Sequence, residues 1–341
     1  MRTILCALSL CLVMAARAEA ADTLVVSSWG GDFRDLIAST IARKFTADTG
    51  VPVTFVTGGT IDRLNKAKLA ASKPESDVTF TTAQVGWLYA NDGLFETLDM
   101  AKLPNAANLV PQARISPAHL GAWAYVYTIV YRPDMLPKGV TLTSWEDLWN
   151  PALKGKLSAP DFDPSHLIAV SAKLSGADPA HWEAGQAKLL ALKPSFRAFY
   201  TDDANSVQLM SSGEAPVQVM LSMNAYHLIA EGQALKVVIP KEGGVLGIDT
   251  MAITKGAAHQ DLAYKFINTG FDPEVQAAIA ERLKGSPTVA NAVLSAKTAA
   301  LPGVFTNARQ WDTETIVIDP KLRAEKLAAW RRWFSENMMT K

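Results

Sequence analysis

Three short loops of small and polar residues carry groups that suit the binding of a small molecule. Each loop follows a β-branched run, and the loops are Ser28-Trp29-Gly30-Gly31, Thr57-Gly58-Gly59-Thr60 and Thr81-Thr82-Ala83-Gln84. Small residues let backbone N–H groups approach a ligand, and a tryptophan adds a flat ring whose face attracts cations. The candidate ligand-binding residues in these loops are Trp29, Gly30, Gly59, Thr60 and Thr82. A tryptophan in this position also suits a hydrophobic core.

Charged residues elsewhere in the chain indicate what kind of ligand such a site would take. Asp249 lies in an apolar run, where an unpaired carboxylate is costly, so it pairs either with a ligand cation or with an internal Lys or Arg. Asp163 precedes Pro164 and either contacts the ligand or caps a helix. Arg197 begins a β run and either clamps a ligand carboxylate or is a solvated surface residue.

Several further residues are candidates because of their positions in predicted strands and helices. Tyr125 and Tyr127 share one face of a long aromatic β run, so one of them can line a binding site while the other packs in the core. We also expect Ser165, Tyr200 and Asn224 to lie near Asp163 on the far side of that site.

The sequence contains no pattern typical of catalysis or of a bound metal or cofactor. The five histidines, at positions 119, 166, 181, 227 and 259, show neither metal-ligand spacing nor an i, i+4 pair. The glycine-containing turns match neither a dinucleotide fingerprint nor a phosphate-binding loop, and there is no Gly-x-Ser-x-Gly motif. The chain has 33 basic and 33 acidic residues, so it lacks the excess of positive charge that binding to nucleic acid requires. We therefore predict a binding protein without catalytic residues, metal ligands or a cofactor.

The elements that position these residues alternate between strand and helix. Leu24–Ser27, Val53–Val56 and Val78–Phe80 read as strands, and the segments 33–45 and 61–71 between them show apolar residues at helical spacing. This order predicts parallel strands with right-handed crossovers. Ligands bind beyond the carboxyl ends of strands in such sheets, which is where the three loops lie.

A second alternating region follows, and the chain crosses between the two regions twice. Tyr125–Tyr131 and Gly247–Ile253 are predicted to be the crossing strands, with Gly247 as a pivot. We predict an α/β fold of two lobes, each a mostly parallel sheet flanked by helices. Residues 21–124 and 250–298 form the first lobe in this division, and residues 125–249 and 299–341 form the second. Closure of the two lobes would bury a ligand between them.

The first twenty residues are typical of a secretory signal peptide. Arg2 precedes an apolar stretch, Ile4 to Ala15, which is too short to span a bilayer, and Ala18-Glu19-Ala20 provides a cleavage site. Both cysteines, Cys6 and Cys11, lie within this stretch, so the mature chain has no disulfide and no cysteine nucleophile. We therefore expect a secreted, periplasmic protein, and a monomer.

Several motifs together resemble those of extracellular solute-binding proteins of the spermidine/putrescine-binding branch. In order, they are Ser28-Trp29-Gly30-Gly31, Asn91-Asp92-Gly93-Leu94-Phe95, Thr143-Ser144-Trp145-Glu146-Asp147-Leu148-Trp149, Leu153-Lys154-Gly155-Lys156 and Pro240-Lys241-Glu242-Gly243-Gly244, followed by Asp249. The resemblance implies a type II periplasmic-binding fold, a small-molecule ligand in the interlobe cleft, and delivery to the membrane subunits of an ABC permease.

The resemblance also implies a ligand type, although the chain departs from the polyamine pattern. Trp29 matches an aromatic residue that holds the methylene chain, and Asp249 matches a carboxylate that holds an ammonium group. The aromatic expected two residues before that carboxylate is Gly247, and Asp161 and Asp163 match the expected acidic pair only loosely. This departure predicts a short amine or an ω-amino acid. The alternatives are a carboxylate-bearing solute, a ligand-sensing subunit, or an enzyme on the same fold.

Overall fold

The computed structural model describes residues 23–340, so the predicted signal peptide and both cysteines lie outside the described residues. The strands are β1 (Leu24–Ser28), β2 (Val53–Thr57), β3 (Val78–Thr82), β4 (Leu120–Tyr131), β5 (Leu157–Pro160), β6 (Phe196–Tyr200), β7 (Val217–Leu221), β8 (Lys236–Val238), β9 (Gly244–Ile253) and β10 (Thr315–Ile316). No helix in this range is long and apolar enough to cross a membrane.

Thirteen α-helices surround these strands within the described range. They are α1 (Gly31–Ile37), α2 (Arg43–Thr49), α3 (Thr60–Leu69), α4 (Ala83–Asn91), α5 (Ser165–Leu174), α6 (Gln186–Leu192), α7 (Asp203–Ser212), α8 (Ser222–Ala230), α9 (Gln260–Gly270), α10 (Pro273–Leu283), α11 (Ala296–Ala299), α12 (Ala308–Thr313) and α13 (Pro320–Phe334). A π-helical turn joins α1 to α2, and 3₁₀ turns connect several other elements.

All ten strands belong to one continuous sheet that two long strands divide into two parts. The main order is β2-β1-β3-β9-β4-β7-β5-β6, with β10 added to β9 and β8 added to β4. Strands β1, β2 and β3 are parallel on one side, and β5, β6 and β7 are parallel on the other. Between them β4 and β9 run antiparallel, with a register shift between Gly121 and Trp123. The predicted two-lobed α/β fold with two crossing strands is confirmed.

Each lobe has its own hydrophobic core. Phe45, Phe80 and Phe266 are among the side chains buried in the first core, and Trp145 and Trp330 lie in the second. Phe305 and Trp311 pack in the first core, although the division drawn from the sequence places them in the second lobe. The reason is that the chain returns to the first lobe before α13 packs against the second. The rest of that division stays a prediction.

Helix ends follow the signals in the sequence. Gly50 ends α2 in the left-handed conformation with a φ of 74°, and the Asp272 side chain accepts hydrogen bonds from the first turn of α10. Ser144 and Asp147 form a capping box, and the helix that they open is a 3₁₀ turn, Trp145–Trp149. Asn150 follows in an extended conformation, which the next residue, Pro151, favours, so this helix is limited to a short turn.

Two of the motifs that carry the family resemblance, residues 143–149 and 240–244, are hydrogen-bonded to each other outside the cleft. The Glu242 carboxylate accepts hydrogen bonds from the Ser144 hydroxyl at 2.6 Å and from the Trp145 amide at 3.0 Å. The Trp145 indole donates to the Gly243 carbonyl at 2.7 Å. A Cβ at Gly243 would lie 2.7 Å from the backbone of Thr315, so this close contact requires glycine. These motifs therefore stabilise the second lobe.

Candidate functional site

The carboxyl ends of the parallel strands from both lobes face one cavity of about 520 Å³. Its lining consists of Trp29, Phe33, Gly59, Thr60, Thr82, Tyr125, Tyr127, Phe162, Thr201, Asp202, Asp203, Leu221, Met223 and Asp249. Seven of these were predicted from the sequence: Trp29, Gly59, Thr60, Thr82, Tyr125, Tyr127 and Asp249. A cavity of this size suits a small organic molecule.

The first-lobe wall consists of Trp29 and the loop before α3. The Trp29 indole N–H donates to the Thr60 hydroxyl at 2.7 Å, which fixes the orientation of the ring. Phe33 packs against the same ring, with centroids 5.5 Å apart. A Cβ at Gly59 would lie 2.9 Å from the carboxylate of the exposed Asp62, so a larger residue there would require that side chain to move. Gly30 is the N-cap of α1, next to Trp29, but does not line the cavity.

Asp249 lies at the centre of the site, on the crossing strand β9 and opposite Thr82 of β3. Its two oxygens accept hydrogen bonds from the Trp123 indole at 2.9 Å and from the Tyr125 hydroxyl at 3.1 Å. Burial raises the pKa of Asp249 to about 7, although these two hydrogen bonds oppose the rise. Of the two alternatives drawn from the sequence, an internal Lys or Arg partner is not found among the described residues, whose hydrogen bonds to this carboxylate come from the neutral Trp123 and Tyr125 side chains.

Both predicted tyrosines of β4 reach the cavity, where we expected only one. Their rings lie 6.3 Å apart, and Tyr127 stacks on the buried His166 at 3.8 Å. Tyr125 pairs across the sheet with Gly247, where a Cβ would lie 2.1 Å from the tyrosine ring. The Tyr125 ring therefore fills the space above Gly247. This steric requirement, and not a positive φ, explains the glycine that was expected to be a pivot.

The second-lobe wall was missed by the sequence analysis and carries the other carboxylates. Asp202 and Asp203 follow β6, and the Asp202 side chain is engaged in capping α7 through the Asn205 amide at 2.8 Å. Burial raises the pKa of Asp203, and the side-chain amide of Asn224 opposes that rise. The charge of Asp203 adds to the rise in the pKa of Asp249, and the charge of Asp202 adds to the rise in the pKa of Asp203.

Asp163 and Ser165 do not line the cavity. They hydrogen-bond to each other, and Asp163 also pairs with Arg323, which is distant in sequence. Asp163 accepts hydrogen bonds from the Arg323 guanidinium at 2.5 Å and from the Ser165 hydroxyl at 2.5 Å. Arg323 comes from α13 and also lies 3.1 Å from His166. The cation beside Asp163 holds the pKa of that carboxyl below its usual value. The structure therefore gives Asp163 a role in attaching the C-terminal helix.

Three other candidates also lie away from the cavity. Arg197 is an exposed residue of the edge strand β6 and pairs with Glu214 at 3.2 Å. Tyr200 is fully buried and donates its hydroxyl to the Val219 carbonyl at 2.7 Å. Asn224 lines an adjoining cavity of about 700 Å³, which shares Phe33, Asp203 and Met223 with the first. Asn224 is thus near the site without lining it.

The assembled cavity suits an organic cation. Aromatic side chains line its walls together with the three carboxylates of Asp202, Asp203 and Asp249, and none of the fourteen lining residues is a Lys or Arg. Within residues 23–340, no group of three or more His, Cys, Asp or Glu side chains is placed to hold a metal ion.

Comparison with known proteins agrees with this geometry. The family model of bacterial extracellular solute-binding proteins matches residues 40–306. The chain is 30% identical over 300 residues to a putrescine/cadaverine-binding protein of Pseudomonas aeruginosa, covering 81% of this chain and 82% of the relative. It is 29% identical over 304 residues to the spermidine/putrescine-binding periplasmic protein of Salmonella typhimurium, covering 84% and 83%.

A solved structure supports the same assignment. The structure of an ABC transporter protein from Clostridium perfringens superposes with a TM-score of 0.80 at 28% identity and covers 93% of this chain and 100% of that one. The resemblance to the polyamine-binding branch is therefore confirmed. The chain belongs to the family of bacterial extracellular solute-binding proteins, which are binding components of ABC transport systems and not enzymes.

Proposed function

We propose that this protein captures a short aliphatic diamine in the cleft and delivers it to an ABC permease. The observation that carries the proposal is the buried Asp249, which lacks an internal cation and faces an aromatic cavity. One ammonium group would pair with Asp249, because a buried carboxylate needs a counter-charge. Asp203 offers the second ammonium group a partner, and Trp29 and Phe33 would pack on the methylene chain.

A ligand that contacts both lobes would favour a closed form. Trp29 comes from the first lobe, Asp203 from the second, and Asp249 from a strand that joins them. A diamine bridging these groups binds the closed arrangement better than the open one, so it shifts the population toward closure. The permease would then recognise the closed surface. We further propose that the protein acts as a monomer in the periplasm and that residues 1–20 direct its secretion.

A carboxylate-bearing ligand receives less support. The guanidinium considered for that role, Arg197, is exposed and already paired with Glu214, and the cavity lining carries the carboxylates of Asp202, Asp203 and Asp249. A ligand carboxylate would meet like charge there. An ω-amino acid would keep only the contact of its ammonium group with Asp249.

Thermal unfolding with a panel of ligands tests the ligand class. Putrescine at one hundred times its dissociation constant should stabilise the protein by about 2.7 kcal/mol. For a protein of this size that corresponds to a shift of the melting temperature by a few degrees. We expect putrescine to give a larger shift than spermidine or 4-aminobutyrate at equal concentration. A response to sugars or phosphate esters alone would contradict the proposal.

Replacing Trp29 with alanine should weaken putrescine binding by about thirtyfold, because a large aromatic contact with the ligand is lost. The melting temperature without ligand should stay near that of the wild type, since Trp29 is only partly buried at the rim of the first core. Titration calorimetry measures the affinity. Trp333→Ala is the control, because it removes a partly buried indole that lies outside the cavity. Loss of folding by Trp29→Ala alone would indicate a core role.

A further inference from the structure

Arg63 is a buried cation of the first lobe whose hydrogen bonds all go to neutral groups. Its side chain is 4% exposed. It donates to the Gly58 carbonyl at 3.0 Å, to the Ser27 hydroxyl at 3.2 Å and to the Phe80 carbonyl at 2.7 Å. Among the described residues it forms no ion pair with a carboxylate. A buried guanidinium without a carboxylate is costly, so its position needs an explanation.

The guanidinium lies against the ring of Trp29, with 5.1 Å between its carbon and the ring centroid. This is the geometry of a cation–π contact, which compensates part of the cost of burying the charge. Arg63 does not line the cleft whereas Trp29 does, so the indole separates the cation from the ligand cavity.

Arg63 also holds the loop to which the same indole is attached. The Gly58 carbonyl that Arg63 binds belongs to the loop of Gly59 and Thr60, and the Thr60 hydroxyl accepts the Trp29 indole N–H. A Cβ at Gly58 would lie 3.2 Å from the Arg63 side chain, so a larger residue there would shift Arg63 by a few tenths of an ångström. One side chain thus contacts the ring and fixes the hydrogen-bond acceptor of that ring.

We propose that Arg63 is a positioning residue for ligand binding, which fixes Trp29 with one face against the guanidinium and the other toward the ligand. This inference rests on the proposed function, because it assumes that Trp29 contacts the ligand. Without Arg63 the indole would lose its backing and adopt several orientations. Binding would then have to select one of them, which lowers affinity without removing any ligand contact.

A double-mutant cycle between Arg63→Met and Trp29→Ala tests this proposal, with putrescine as the probe and calorimetry as the measurement. Arg63→Met in the wild type should weaken binding by about tenfold, which corresponds to about 1.4 kcal/mol. In the Trp29→Ala background the same change should weaken binding by less than about twofold, because contacting residues are not additive. Weakening by the same factor in both backgrounds would overturn the proposal, because a general effect on the lobe does not depend on Trp29.

A control and a second variant separate positioning from loss of stability. Gln276→Met removes a buried side chain of the first lobe that donates to the Ala122 and Gly270 carbonyls, and it should lower the melting temperature without coupling to Trp29→Ala. Gly58→Ala keeps the charge but displaces Arg63, and we expect severalfold weaker binding that again depends on Trp29. This variant supplies the test if Arg63→Met does not fold. If Trp29→Ala itself leaves putrescine affinity unchanged, Trp29 does not contact the ligand and this inference fails. The proposed function fails separately, if putrescine does not bind the wild-type protein.

Discussion

Replacing Asp249 with asparagine should weaken putrescine binding by about a hundredfold or more. The change keeps the size of the side chain and leaves an oxygen for the Trp123 or Tyr125 hydrogen bond, but it removes the charge that an ammonium group needs. Truncating one partner of a buried, hydrogen-bonded charge pair costs about 2–5 kcal/mol, and a hundredfold change corresponds to about 2.7 kcal/mol. Calorimetry at pH 8, where the wild-type carboxylate is ionised, measures the effect.

The stability of the ligand-free variant provides an independent check. Burial raises the pKa of Asp249 to about 7, whereas an unfolded aspartate ionises near about 4, so ionisation of this group favours the unfolded state as the pH rises between these values. Asp249→Asn removes that penalty and should unfold no more easily than the wild type at pH 8. Asp134→Asn, at an exposed carboxylate paired with Arg132, is the control and should retain affinity. Unchanged affinity in Asp249→Asn would show that the ammonium group binds elsewhere.

The first-lobe wall could be predicted from the sequence because it depends on local rules. Alternation of strand and helix predicts parallel strands, and parallel strands place their following loops at one edge. Trp29, Thr60 and Thr82 line the cavity for that reason. Their contact with a ligand stays a prediction.

The second-lobe wall was assigned to the wrong positions along its strands. Tyr200 ends β6 and points into the core, whereas the next three residues, Thr201 to Asp203, reach the cavity. The rule used for the first lobe also identifies these residues, as it does Phe162 after β5. The candidates Arg197 and Tyr200 were instead taken from within the strand, where side chains alternate between the two faces, and neither of them lines the cavity.

Long-range partners could not be predicted from one sequence. Asp163 is bound by Arg323, 160 residues away, and nothing local to either residue indicates the pair. The pairing of Tyr125 with Gly247 depends on the register between β4 and β9, which a bulge alters. From the sequence alone, Gly247 stands where the polyamine pattern has an aromatic residue. In the structure the Tyr125 ring, from the neighbouring strand β4, lies over Gly247.

Putrescine affinity should rise with pH between 5 and 7 and become constant above about 8. In the ligand-free protein Asp249 is half protonated near pH 7, because burial raises its pKa to about 7. A bound ammonium group favours the ionised carboxylate and lowers this pKa, so binding releases the proton. Protonation then competes with the ligand, and affinity should fall about tenfold from pH 8 to pH 6 and about a hundredfold from pH 8 to pH 5.

Calorimetry in buffers of different ionisation enthalpy measures the released proton directly. Release should be about half a proton at pH 7 and close to one at pH 6, and it should vanish in Asp249→Asn. The buried histidines His119 and His166 do not titrate in this range, because burial lowers the pKa of each to about 4. Affinity independent of pH in the wild type would mean that the ligand cation does not meet Asp249.

The pH profile of putrescine affinity in Asp203→Asn shows how far the Asp203 charge influences the titration of Asp249. Burial is the main cause of the raised pKa of Asp249, and the charge of Asp203 adds to it. Asp203→Asn removes that repulsion and should move the midpoint of the affinity profile to lower pH while keeping its slope. Asp249→Asn should remove the slope itself. If both variants only lowered affinity and left the profile unchanged, the titrating group would lie outside this pair. If the pH dependence of affinity were instead lost in Asp203→Asn and kept in Asp249→Asn, the ligand ammonium group would bind at Asp203, on the second-lobe wall.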